Sequence, residues 1–116
     1  VYDFVDKCLK TPINKDFSFK IKSLEKELKR DNTVINTQDF GAGSKKTSTI
    51  RTVRKTYLSA SCKGSYAKLL YQLTVHYKPT KILELGTNLG VGTCYLSGGY
   101  PSGIIHTIEG CSETFQ

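Results

Sequence analysis

Two acids and a glycine loop hold most of the chemical content of this sequence. The segment Glu84-Leu85-Gly86-Thr87-Asn88-Leu89-Gly90-Val91-Gly92 overlaps a short apolar run, Lys81-Ile82-Leu83-Glu84-Leu85, and leads into Val91 to Ser97, which can form a helix. In open α/β sheets such a loop lies at the carboxyl end of a strand, where ligands bind. Gly86 and Gly90 let the backbone turn sharply and approach a bound molecule closely. The amino end of the following helix offers unpaired N–H groups to a carboxylate or phosphate, worth about 0.3–1 kcal/mol at an exposed site. Glu109 closes the next apolar run, Ile104-Ile105-His106-Thr107-Ile108, 23 positions after Gly86. An acid at about that distance beyond the loop can accept hydrogen bonds from the hydroxyls of an adenosine ribose. Loop, helix, strand and terminal carboxylate in this order point to an adenosine-containing cofactor. A solvated acid at a strand end is the plain structural alternative for Glu109, and for Glu84.

Gly86, Gly90 and Gly92 also reproduce the Gly-x-x-x-Gly-x-Gly spacing of short-chain dehydrogenases, which bind NAD(P). Two features oppose that reading. Those enzymes place the loop near the chain start, whereas residues 1–80 precede it here. Glu84, two positions before the first glycine, suits an ammonium group and would repel a pyrophosphate.

The stretch Ile82-Leu83-Glu84-Leu85-Gly86-Thr87-Asn88-Leu89-Gly90, taken with Thr107-Ile108-Glu109-Gly110, resembles the first two motifs of class I S-adenosylmethionine-dependent methyltransferases. It is most similar to small bacterial enzymes related to O-methyltransferases. The loop Asp39-Phe40-Gly41-Ala42-Gly43-Ser44 also looks like a segment upstream of the motif in that group, so the resemblance spans most of residues 33–113. It implies an α/β, Rossmann-like methyltransferase fold with S-adenosylmethionine as cofactor and a small-molecule acceptor that carries a hydroxyl. Glu84 and the backbone from Gly86 to Gly90 would handle the methionine end, and Glu109 would hold the ribose diol. Thr87 and Asn88 would line the loop, and Thr93 would donate to the methionine carboxylate. The chain departs from the family's Gly-x-Gly-x-Gly triplet, since Asn88 stands at its middle position. No catalytic base is identified for the acceptor.

Several elements must position these groups. Tyr2 to Leu9 is expected to form a short helix, ended by the Thr11-Pro12 step. Phe17, Ile21, Leu24 and Leu28 recur at helical spacing, with Lys and Glu on the other sides, which describes an amphipathic surface helix. Thr33 to Thr37 reads as a short extended segment, and Ser48 or Thr49 as the cap of a helix carrying Ile50, Val53, Tyr57 and Leu58. Tyr66, Leu69, Leu70, Leu73 and Tyr77 form a stripe on a helix over about 65–77, expected to face the core, and Pro79 closes it. Strand, glycine loop, helix and strand then make a parallel crossover unit. Residues 1–64 are expected to form a helical N-terminal extension and 65–116 the first helix-strand-helix-strand unit of the domain. The start at Val1, and an end soon after the second strand, suggest the N-terminal part of a longer protein. A two-stranded parallel piece with an open edge should be marginally stable or self-associate as a homo-oligomer.

Composition narrows the remaining classes. The 116 residues carry a formal charge of +7, and 13 of the 17 Lys and Arg lie in residues 1–55. Lys45, Lys46, Arg51, Arg54 and Lys55 would serve a nucleic-acid-binding module, but no nucleic-acid-binding signature accompanies them. Cys8, Cys62, Cys94 and Cys111 show neither zinc-finger nor Cys-x-x-Cys spacing, so no metal site is expected, and reduced cytoplasmic thiols are favoured over a disulfide framework. Neither His76 nor His106 has a catalytic partner in its neighbourhood. Asp39-Phe40-Gly41 lacks the other kinase motifs, and Gly41 to Thr47 lacks the glycine that a phosphate loop needs before its lysine. No apolar stretch approaches transmembrane length.

Overall fold

The structure is a computed structural model that describes residues 1–37 and 50–115. The Asp39 to Ser44 loop, Lys45, Lys46, Ser48 and Thr49 lie outside the described residues.

A π-helical turn at Phe4–Cys8 opens the chain. The first full helix, α1 (Lys15–Leu28), is capped by Asn14, whose side chain accepts from the N–H groups of Asp16 and Phe17 at 2.9 and 3.2 Å. Two short strands, β1 (Val34–Asn36) and β2 (Ile50–Thr52), pair antiparallel with Ile35 opposite Arg51. Helix α2 (Val53–Ala60) follows directly. The sequence placed Ile50 on this helix, but Ile50 belongs to β2 and the cap is Thr52, which accepts from the Lys55 N–H at 3.1 Å. The later start has a cause in the backbone: Val53 and Arg54 donate to the carbonyls of Thr33 and Asp31, so the approach to β1 satisfies the first amides of α2. At its other end, Lys63 donates to the carbonyls of Tyr57 and Leu58.

Helix α3 (Gly64–Tyr77) packs chiefly on α4 (Val91–Gly99). Its buried positions are Ala67, Tyr71, Gln72 and Thr74, while Tyr66 and Tyr77 are exposed and Leu69 and Leu73 half-buried. Of the expected stripe, Leu70 packs against the core, whereas Tyr66 and Tyr77 at its two ends do not face inward. Gly99 of α4 is the point of close approach to α3, where a Cβ would overlap Thr74 and the Tyr71 backbone, while a Cβ at Gly98 would overlap the Phe17 ring of α1. Close approach of helix to helix thus selects the face of α3 that carries small and polar groups. Gln72 then has work to do inside, donating to the carbonyls of Leu9 and Thr11 at 2.7 and 2.8 Å and fastening the N-terminal segment.

The core cluster joins Ile21 and Tyr57 to Ala67, Tyr71, Val91 and Tyr95, so the segments before and after residue 64 share one interior. Phe17 stacks on Tyr71 and meets Tyr95 edge-on, with centroids 5.1 and 5.5 Å apart. Burial, with the nearby charge and hydrogen bond of Glu25, pushes the Tyr95 hydroxyl up to about 12.

Strands β3 (Lys81–Leu85) and β4 (Ile104–Ile108) pair parallel, Glu84 opposite Thr107, with α4 as the crossover. The ladder continues beyond both ends, through the Ile104 N–H to the Thr80 carbonyl and the Gly86 N–H to the Ile108 carbonyl. The described chain is a mixed α/β structure with a small parallel sheet. Ile82, Glu84, Ile105 and Thr107 are half-buried on one side of this sheet, whereas Leu83, Leu85, Ile104 and Ile108 on the other are 56–75% exposed. Among the described residues, no helix is long and apolar enough to cross a membrane.

Candidate functional site

Between β3 and α4 the chain makes a turn that needs three left-handed residues. Gly86, Asn88 and Gly90 have φ of +86°, +52° and +74°. Asparagine is among the few residues other than glycine that adopt this conformation readily, so Asn88 fits the turn without a glycine. The loop is tied to the end of β4 twice. Gly86 donates its N–H to the Ile108 carbonyl at 2.8 Å, and Asn88 donates to Glu109 Oε2 at 2.7 Å.

Glu109 uses its other oxygen as well. Its Oε1 accepts from the Cys111 N–H at 2.9 Å, so two backbone donors fix the carboxylate. Each oxygen keeps a further lone pair for a ligand hydroxyl. Glu84 is held differently. Its Oε2 accepts from the hydroxyls of Thr107, at 2.8 Å, and Thr93. Thr107 lies 2.5 Å from the Thr87 hydroxyl, and since the single Thr107 hydrogen goes to Glu84, Thr87 must donate to Thr107. Glu84 Oε1 accepts from no described residue and lies where Gly92 leaves room: a Cβ there would come to 2.8 Å.

The two acids open on adjoining cavities. One, of about 110 Å³, is lined by Glu84, Ser61, Cys62, Leu70 and Thr87. The other, of about 320 Å³, is lined by Glu109, Arg51, Thr56, Thr37 and Thr114. Ala60, Gly86 and Asn88 form the wall between them, since they line both. Three buried side-chain oxygens around these cavities have no hydrogen-bond partner: Thr56 Oγ1, Ser61 Oγ and Asn88 Oδ1. Such groups carry an unrecovered desolvation cost of about 1–3 kcal/mol each.

Of the residues singled out in the sequence, Glu84, Gly86, Thr87, Asn88 and Glu109 come together around this loop, and Gly90 begins the helix beyond it. Thr93 does not offer its hydrogen to a ligand, because that hydrogen goes to Glu84; the residue also lines a separate groove of about 520 Å³ beside Phe17, Ile21 and Cys94. The basic cluster is divided. Arg51 lines the Glu109 cavity, while Arg54 and Lys55 line another hollow with Asn32 and Leu58. His76 meets the Tyr77 ring edge-on, and His106 is exposed on the bare side of the sheet, away from Glu84.

Thr56 and Ser61, from α2 and the turn after it, join the site without having been expected there, as do Cys62 and Thr107, to which the sequence assigns no binding role. Thr107 has a signal once β3 and β4 are paired, since alternation puts it beside Glu84; Thr56 and Ser61 have none, because only tertiary packing brings α2 to the loop. Burial, and secondarily the charge of Glu84, raise the thiols of Cys62 and Cys94 above the ordinary range, so both are held protonated. Among the described residues there is no disulfide and no group of three or more His, Cys, Asp or Glu able to hold a metal ion. No protein-family model, curated protein or solved structure matches the chain.

Proposed function

We propose that this chain supplies the donor-binding part of a Rossmann-like, S-adenosylmethionine-dependent methyltransferase acting on a small-molecule acceptor. One observation carries the reading: two carboxylates, one near the end of β3 and one directly after β4, flank one left-handed loop between parallel neighbouring strands and line adjoining cavities. The unpartnered oxygens of Ser61 and Asn88 fit a polar ligand with several hydrogen-bonding groups. Glu84 Oε1 suits the ammonium of a methionine moiety, and the N–H groups at the start of α4 suit its carboxylate. Glu109, fixed by two amides, suits the ribose hydroxyls.

When bound, S-adenosylmethionine supplies an electrophilic methyl group on a sulfonium. The chain's own contribution is orientation. Thr93 and Thr107 hold Glu84, which would hold the amino-acid end, and Glu109, fixed by two amides, would hold the ribose, so the chain would fix the orientation of the donor. The competing dehydrogenase reading would put a pyrophosphate near Glu84 Oε1 with no ammonium group to offset that charge, whereas the methionine end carries one beside its carboxylate.

Calorimetry on the 116-residue chain tests the proposal. S-adenosylhomocysteine should bind, NAD(P) and duplex DNA or RNA should not, and Glu109→Ala should weaken S-adenosylhomocysteine by about tenfold or more, the loss of a charge-assisted hydrogen bond. Binding of NAD(P) in place of S-adenosylhomocysteine would transfer the site to the dehydrogenase reading.

A further inference from the structure

Arg51 is a half-buried cation in the wall of the Glu109 cavity, and it has no ion pair with any described residue. Glu109 forms no ion pair with it, and the hydrogen bonds of that carboxylate go to the N–H groups of Asn88 and Cys111. Thr56, in the first turn of α2, lines the same cavity; it is 4% exposed and its hydroxyl has no partner. An unpaired guanidinium and an unspent buried hydroxyl are both donors. The chemistry that satisfies them together is an oxyanion, which can accept two parallel N–H bonds from arginine and a third from a hydroxyl.

The geometry points to an oxyanion subsite formed by Arg51 and Thr56, which takes the carboxylate or phosphate of the methyl acceptor. The assignment to the acceptor rests on the methyl-transfer reading. On that reading the donor's own carboxylate belongs to the start of α4, whereas Arg51 and Thr56 line the cavity of Glu109 and not the smaller one of Glu84. The acceptor class is thereby narrowed to small molecules that carry an acidic group as well as the nucleophile.

Inorganic phosphate serves as the probe, followed through the Arg51 side-chain N–H and the Thr56 amide in nuclear magnetic resonance spectra of the isotope-labelled 116-residue chain. Phosphate should give saturable shifts at both. Arg51→Ala and Thr56→Val should weaken it at least tenfold, and Arg51→Lys and Thr56→Ser should restore part of the affinity in chains whose circular dichroism is unchanged. Repeating the titration with saturating S-adenosylhomocysteine separates the two sources of the anion. Phosphate binding that persists beside the nucleoside, with Arg51→Ala leaving S-adenosylhomocysteine affinity unchanged, supports the acceptor. Competition between the two, with Arg51→Ala weakening S-adenosylhomocysteine tenfold, overturns it in favour of the donor carboxylate. S-adenosylhomocysteine binding without any phosphate response overturns the subsite and leaves the methyl-transfer reading standing. An Arg51-dependent phosphate response without S-adenosylhomocysteine binding overturns the acceptor assignment along with that reading.

Discussion

The ends of β3 and β4 present the same functional group in two kinds of setting. Glu84 receives both of its hydrogen bonds on a single oxygen, from side-chain hydroxyls, while Glu109 receives one on each oxygen, from main-chain amides. Hydroxyls can rotate toward another acceptor, but the two amides of the Asn88 and Cys111 backbone cannot. Glu109 is therefore part of the loop's construction, and Glu84 is an acid steadied on one oxygen, with no described residue bonded to the other. The pair teaches that equal charge at equivalent strand ends need not mean equal dependence of the fold on it.

Replacing each acid by its amide is the largest test of this difference. In Glu109→Gln the new NH2 group must face one of the two backbone N–H donors, so a donor loses its partner at a cost of about 2 kcal/mol, or about 8 °C in Tm. In Glu84→Gln the amide oxygen can take the place of Oε2 and keep both hydroxyl bonds, so less than about 1 kcal/mol is expected. Equal losses by thermal unfolding would erase the distinction. Thr107→Val comes next: it removes a donor from Glu84 and an acceptor from Thr87, for about 1 kcal/mol, and Thr107→Ser should recover most of it. A valine variant as stable as the parent would show that the hydroxyl chain does not steady Glu84. The smallest effect is electrostatic. Since the charge of Glu84 helps to raise the Cys62 and Cys94 thiols, removing that charge lowers them and increases the thiolate fraction at pH 8. Glu84→Gln should thus speed their alkylation by about twofold, and Glu109→Gln should leave the rate alone. Faster alkylation in both variants would indicate general loosening of the chain instead.

Much of the site was legible because it is local. Strand, loop and helix lie within residues 81–99, and the change of period from helical to alternating marks them before any fold is known. Glu109 was legible through its distance from Gly86 and the apolar run it closes. What stayed hidden depends on contacts between distant segments. The inward face of α3 could be read only in part from its stripe of Tyr66, Leu69, Leu70, Leu73 and Tyr77, because Gly99 of another helix brings Tyr71 and Thr74 closest and leaves the two end tyrosines exposed. Ile50 looked helical beside Val53 and Tyr57 until β1 supplied a partner strand. Arg51 looked like one of a basic run, and only the pairing of β1 with β2 separates it from Arg54 and Lys55.

The alternation along β3 has a consequence for how the chain finds its alignment. Sliding that strand by one position would turn Leu83 and Leu85 toward the helices and Glu84 toward water, an exchange that removal of oily surface alone would reward. What opposes the slide is the bonding of Glu84 to Thr93 and Thr107, which exists in a single alignment. The acid proposed to hold the amino-acid end of the donor thus doubles as the key that fits the strand to its place.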